Sequence, residues 1–111
     1  MTNLKNILTA ALFFVTTGLF AQTKTETTKV WGNCETCEKK IEKAAKTAGA
    51  EKAKWNMNKK ELVVSYDSTK TTMDDIQKRI ASFGYDTEKY AADDKAYNKL
   101  DECCKYKRKA Q

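Results

Sequence analysis

Across residues 35–48 the apolar side chains Cys37, Ile41, Ala44, Ala45 and Ala48 recur at i, i+4, i+7, i+8 and i+11, which is one face of an α-helix. Lysines and glutamates fill the opposite face, and Gly49 follows where a helix stops. On both sides of this stripe the period falls to two. Upstream, Thr23, Thr25 and Thr27 lie on one face of an extended segment, with Thr28 and Val30 on the other. Downstream, Ala53, Trp55 and Met57 alternate with Lys52, Lys54 and Asn56. The turn residues Asn58, Lys59 and Lys60 follow, and Leu62, Val64 and Tyr66 resume the alternation, which predicts a β-hairpin. A second helical stripe of Met73, Ile76, Ile80 and Phe83 opens at Thr71 and Thr72, carries Asp74 and Asp75 in its first turn, and closes at Gly84. Residues 85–90 suffice for a short last strand.

The order strand, helix, strand, strand, helix, strand predicts an α+β fold. It is the ferredoxin-like βαββαβ sandwich, with two helices over one face of a four-stranded antiparallel sheet. Residues 93–109 read as a further amphipathic helix carrying Tyr97, Leu100, Cys103 and Cys104. With no proline in the chain, residues 91–94 are the one candidate hinge. Trp55, Met57 and Met73 fit inward faces and read as core, and Tyr97 and Tyr106 read as helix packing.

A chain of 111 residues holds one domain. Residues 1–21 have the order of an export signal: Lys5, an apolar run from Ile7 to Val15, then Gly18-Leu19-Phe20-Ala21. That run is interrupted by Thr16, Thr17 and Gly18 and falls short of the ~20 apolar residues that span a bilayer. Cleavage after Ala21 is therefore expected, giving a periplasmic or secreted protein that does not span a membrane. Lys5 is the only charge in the signal, so 20 basic and 15 acidic residues remain after it. They are interleaved along helical stretches, which excludes a nucleic-acid stripe. The one dense basic cluster, residues 105–109, reads as a frayed end.

Cys34 and Cys37 stand three apart, in the loop leaving the first strand and in the first turn of the first helix. A helix start favours thiolate over thiol, and a thiolate pair suits soft ions such as Cu(I), Zn(II), Cd(II) or Hg(II). The chain has no histidine, which rules out Cys-x-x-Cys-His haem attachment and histidine-based hydrolysis. A thioredoxin-like couple lacks the proline that normally faces such a disulfide. A thiol–disulfide protein and a disulfide-stapled interaction module remain as alternatives in an exported chain with four cysteines. No pattern points to an enzyme.

The Gly32-Asn33-Cys34-Glu35-Thr36-Cys37 loop, the βαββαβ order and the Phe83-Gly84-Tyr85-Asp86 exit from the second helix together resemble the heavy-metal-associated domain, over about residues 25–90. That family includes copper chaperones, metal-binding domains of copper-transporting ATPases and a periplasmic mercury-binding protein. The resemblance implies one soft ion held by Cys34 and Cys37, often in near-linear two-sulfur geometry, with Tyr85 close by. It also implies a membrane metal transporter or another metal-binding domain as exchange partner. The organisation expected is a signal at residues 1–21, the domain at 22–92 and a helical extension at 93–111.

The family's usual loop reads Gly-Met-x-Cys-x-x-Cys, and here it is one residue shorter and lacks the methionine that anchors it. Trp31 is expected to supply some of that packing. The pair Cys103-Cys104 is a second departure. If the last helix folds back, Cys103, Cys104 or both add a third or fourth sulfur to Cys34 and Cys37, or form a disulfide with one of them. Successive helical residues point about 100° apart, so one of the two is expected to face inward with Leu100.

Overall fold

A computed structural model describes residues 22–110, and the expected export signal at residues 1–21 lies outside the described residues. The elements are β1 (Thr23–Lys29), α1 (Glu35–Thr47), β2 (Ala50–Asn56), β3 (Glu61–Asp67), α2 (Met73–Ser82), α3 (Asp94–Asn98) and a single 3-10 turn (Glu102–Cys104). β3 is the central strand and pairs antiparallel with β1 on one side and β2 on the other. Leu62 on β3 faces Thr28 of β1 and Trp55 of β2 in register. This row and Val64 are buried beneath the helices. α1 packs on β2 and on α2 through Cys37, Ile41, Ala44 and Ala45, all fully buried. In α2, Ile76 and Ile80 are buried, and the Thr72 hydroxyl accepts the Asp75 N–H at 3.1 Å, capping the first turn. Two helices on one face of an antiparallel sheet give the expected ferredoxin-like α+β arrangement.

Three expectations need correction. The last strand is reduced to one bridge, Val30 with Thr87, so the sheet has three strands among the described residues. The ladder stops because the Thr87 N–H turns to the Tyr90 carbonyl at 2.7 Å, and the Tyr90 N–H returns to Thr87 Oγ1 at 2.9 Å. Met57 falls one residue beyond β2, in the hairpin turn, and is 41% exposed. Met73 is half-buried against the core, and Trp55 lies wholly within it.

The third correction concerns the extension. The continuous helix expected over residues 93–109 is broken into α3 and the 3-10 turn, and residues 105–110 have no regular structure. A helix would rotate Tyr106 and Arg108 about 200° apart, whereas extended backbone points i and i+2 the same way. Both of these side chains dock on the body, so the basic end is pinned rather than frayed. The candidate hinge is also pinned: Ala92 is buried, and its N–H donates to Asp86 Oδ1 at 2.7 Å. Among the described residues no helix is long and apolar enough to cross a membrane.

Candidate metal centre

Cys34 is the N-cap of α1, with extended backbone (φ −145°, ψ −178°), and its carbonyl accepts the Glu38 N–H at 3.0 Å. The first turn of α1 brings the Cys37 sulfur to 3.7 Å from that of Cys34. The two are free thiols. The Cys37 backbone N–H, joined by the Cys37 thiol and by the amide and hydroxyl of Thr36, outweighs burial and draws the Cys34 thiol from its ordinary 9.0 down to about 7. A thiol drawn toward ionisation at the start of a helix supplies the thiolate that a soft cation binds.

The floor of this loop is aromatic. An added Cβ at Gly32 would lie 2.9 Å from the Trp55 ring and 3.0 Å from Ile41 Cδ1, so glycine is needed for close approach. Trp55 therefore fills the space beneath the loop, while Trp31 is half-buried beside it under the Lys109 ammonium. The Trp55 indole N–H donates to the Val30 carbonyl at 2.9 Å, and Lys60 Nζ donates to the Gly32 carbonyl at 2.7 Å. These bonds fix the loop that the shortened motif leaves without its methionine.

From the other side comes the extension. The sulfurs of Cys34, Cys37 and Cys104 all lie within 4.8 Å of one another, and Cys104 is fully buried. Burial pushes the Cys104 thiol up to about 12, with the Cys37 thiol adding to the rise. Cys103 stands outside this cluster. Its side chain is exposed with its sulfur 3.9 Å from that of Cys104, while its carbonyl accepts from Asn33 Nδ2 at 3.2 Å and from the Cys34 thiol at 3.4 Å. Of the four cysteines singled out in the sequence, the structure thus brings three together and leaves Cys103 at the rim.

Tyr85, the residue that the resemblance put beside the site, is fully buried, and its hydroxyl has no hydrogen-bond partner among the described residues. Burial, together with the Cys37 and Cys104 thiols it faces, holds its pKa far above the usual tyrosine range. An orphaned buried hydroxyl is costly, and here it points at the sulfurs. Tyr106 stacks on Tyr85 with ring centroids 5.7 Å apart, and Tyr97 meets Tyr106 edge-on at 5.1 Å. The Tyr106 hydroxyl donates to the Gly84 carbonyl at 2.8 Å and accepts the Asp86 N–H at 2.7 Å.

Sequence reasoning missed what holds the tail in place. Arg108 grips the buried Asp86 carboxylate with two donors, Nε to Oδ2 at 2.7 Å and Nη2 to Oδ1 at 2.9 Å, and Nη2 also reaches the Ala92 carbonyl at 2.7 Å. Burial raises the Asp86 carboxyl, but Arg108 and the amides of Ala92 and Lys109 outweigh it and leave it below the usual carboxylate range. One signal was available: Arg108 is one of only two arginines in a lysine-rich chain, and arginine is the residue suited to two-point carboxylate recognition. Lys40 of α1 adds a tie to Asp101, just before the 3-10 turn, at 3.2 Å.

The heavy-metal-associated domain matches residues 33–86. A proposed copper-ion-binding protein from Bacillus anthracis str. Ames is 30% identical, with 62% of this chain and 100% of that one covered, at a TM-score of 0.58. Oxidized MerP from Ralstonia metallidurans CH34 is 29% identical over 60% of this chain and 96% of its own, at 0.57. The CopZ metallochaperone is 27% identical over 58% of this chain and 98% of its own, at 0.55. Among curated proteins nothing matches the chain significantly. The extension that carries Cys104 lies outside the matched domain, while the Cys34–Cys37 loop and Tyr85 lie within it. The chain belongs to the heavy-metal-associated domain family.

Proposed function

We propose that this is an exported carrier that captures a soft metal ion through the thiolates of Cys34 and Cys37 and passes it on or holds it. The observation that carries this reading is the pair of free sulfurs 3.7 Å apart at the start of α1, one of them drawn toward ionisation. Membership of the heavy-metal-associated family and likeness to a metallochaperone support it. Thiolate ligands select Cu(I), Zn(II), Cd(II) or Hg(II) over Mg(II) and Ca(II). Cu(I) is the first candidate, because a copper-ion-binding role is proposed for the Bacillus anthracis relative.

Cys34 is half-exposed, so an incoming thiolate can replace it by ligand exchange while Cys37, fully buried, keeps its grip. The natural partner is another thiolate-bearing site, on a membrane metal transporter or a second metal-binding domain. Export rests on the signal at residues 1–21, cleaved after Ala21, which leaves the domain at 22–92 and the extension at 93–111 in the periplasm or outside the cell.

Anaerobic titration of the reduced chain with Cu(I) against a chromophoric chelator tests the reading. One ion per chain is expected, lost in Cys34→Ala/Cys37→Ala. A reduced protein that binds none, yet reduces the disulfides of insulin, would instead be a thiol–disulfide protein.

A further inference from the structure

We propose that Cys104 is a third sulfur ligand, delivered by the docked C-terminal tail, so that the domain holds its ion among three sulfurs rather than two. The inference rests on the metal-binding role given to Cys34 and Cys37.

Separation is the first support. With metal–sulfur bonds of about 2.3 Å, two sulfurs on opposite sides of an ion stand about 4.6 Å apart, and three in a plane about 4.0 Å apart. Cys34 and Cys37 are at 3.7 Å, and all three sulfurs lie within 4.8 Å of one another. The pair is too close for a linear site without movement, whereas a 3.7 Å side and a 4.8 Å limit on the other two are compatible with a planar site after small shifts.

Burial is the second. Cys104 is fully enclosed, and the groups it faces are the Cys37 sulfur, the Cys103 sulfur at 3.9 Å and the unpartnered Tyr85 hydroxyl, itself fully buried. A sulfur coordinated to a cation still accepts a hydrogen bond, so an occupied site gives that hydroxyl the acceptor it lacks.

The third is the number of independent ties that hold the tail where Cys104 meets the loop. Arg108 binds Asp86, Tyr106 binds Gly84 and Asp86, Lys40 binds Asp101, and Asn33 binds the Cys103 carbonyl. None of these contacts uses the Cys104 sulfur. Apart from the 3.9 Å approach of the exposed Cys103 sulfur, the geometry leaves it open to an ion.

The test uses the full chain, reduced and anaerobic, loaded with Cu(I). X-ray absorption counts the sulfurs around copper, and chelator competition gives the affinity. Wild type is expected to show three sulfurs. Cys104→Ala should show two, with affinity at least roughly tenfold to a hundredfold lower, the range over which metal sites respond to lost support. Cys103→Ala should match wild type. If the alanine variant loses its native circular dichroism, Cys104→Ser replaces it, since a hydroxyl is a poor ligand for Cu(I), and the same loss is expected. Two sulfurs in wild type, with Cys104→Ala binding equally well, would overturn the third ligand and leave the Cys34–Cys37 reading standing. Failure of wild type to bind at all would overturn both.

Discussion

Cys34 and Cys104 come within 4.8 Å of each other by opposite means. Cys34 is placed by its own neighbours in sequence: it caps α1, and amides two and three residues on draw its thiol down to about 7. Cys104 is placed from afar. The 3-10 turn that carries it has little structure of its own, and its position is set by Tyr106, Arg108 and Asp101 reaching the body of the domain. The loop thus owes its chemistry to backbone geometry, and the tail owes its position to side chains. Local damage should therefore spoil one, and distant damage the other.

The sharpest way to break the contrast is Arg108→Ala. It leaves all four cysteines intact but strips the fully buried Asp86 carboxylate of its charged partner. Removing one member of a buried pair costs about 3 kcal/mol or more, measurable by urea unfolding. In the metal-free variant Cys104 should become open to alkylation while Cys34 reacts as before. A variant in which Cys104 stays protected would show that the tail does not depend on this clamp.

Gly32→Ala strikes the loop instead. Its methyl group would meet the Trp55 ring at 2.9 Å, and overpacking of this kind costs about 2 kcal/mol. Trp fluorescence should shift and metal affinity should fall, with the tail still docked. Tyr106→Phe is milder. It keeps the stack on Tyr85 but leaves the Asp86 N–H and the Gly84 carbonyl without their partner. The expected loss is about 1–2 kcal/mol, with Cys104 modestly more reactive.

The last prediction changes no residue. Because the Cys34 thiol ionises below its ordinary value, its thiolate forms as pH rises through about 7 and is lost as pH falls below it. Iodoacetamide should modify Cys34 in the metal-free protein with a half-maximal rate near that pH. Cys104, buried and raised to about 12, should stay unmodified through neutral pH. Equal pH profiles for the two thiols would erase the distinction between loop and tail.

How far the sequence could be read follows the same division. The face of α1, the Thr72 cap of α2 and the alternation along β3 are set by residues close in sequence, so periodicity recovered them. The Cys34–Cys37 loop was legible for the same reason. Met57 misled because alternation gave no sign that β2 ends at Asn56. Residues 85–90 misled because Thr87 satisfies its backbone within a turn instead of along a ladder. The tail misled most: Tyr97, Leu100 and Cys104 keep helical spacing, yet Tyr106 and Arg108 dock only from extended chain. Tertiary ties decide that segment, and periodicity does not record them.

The double grip on Asp86, by the Ala92 amide near the start of the extension and by Arg108 near its end, has a further consequence. Cys104 rides on a short arm held at both ends. A ligand on a tether of this kind competes at an effective concentration on the order of mM. On the proposed three-sulfur site, free thiols more dilute than that would lose the contest for its place, and the ion would leave only to a docked partner whose own sulfurs reach a similar local concentration. Lengthening the arm between Ala92 and Cys104 would lower that threshold without altering a single sulfur. Peptide length, as much as ligand chemistry, then governs which acceptors can draw the ion away.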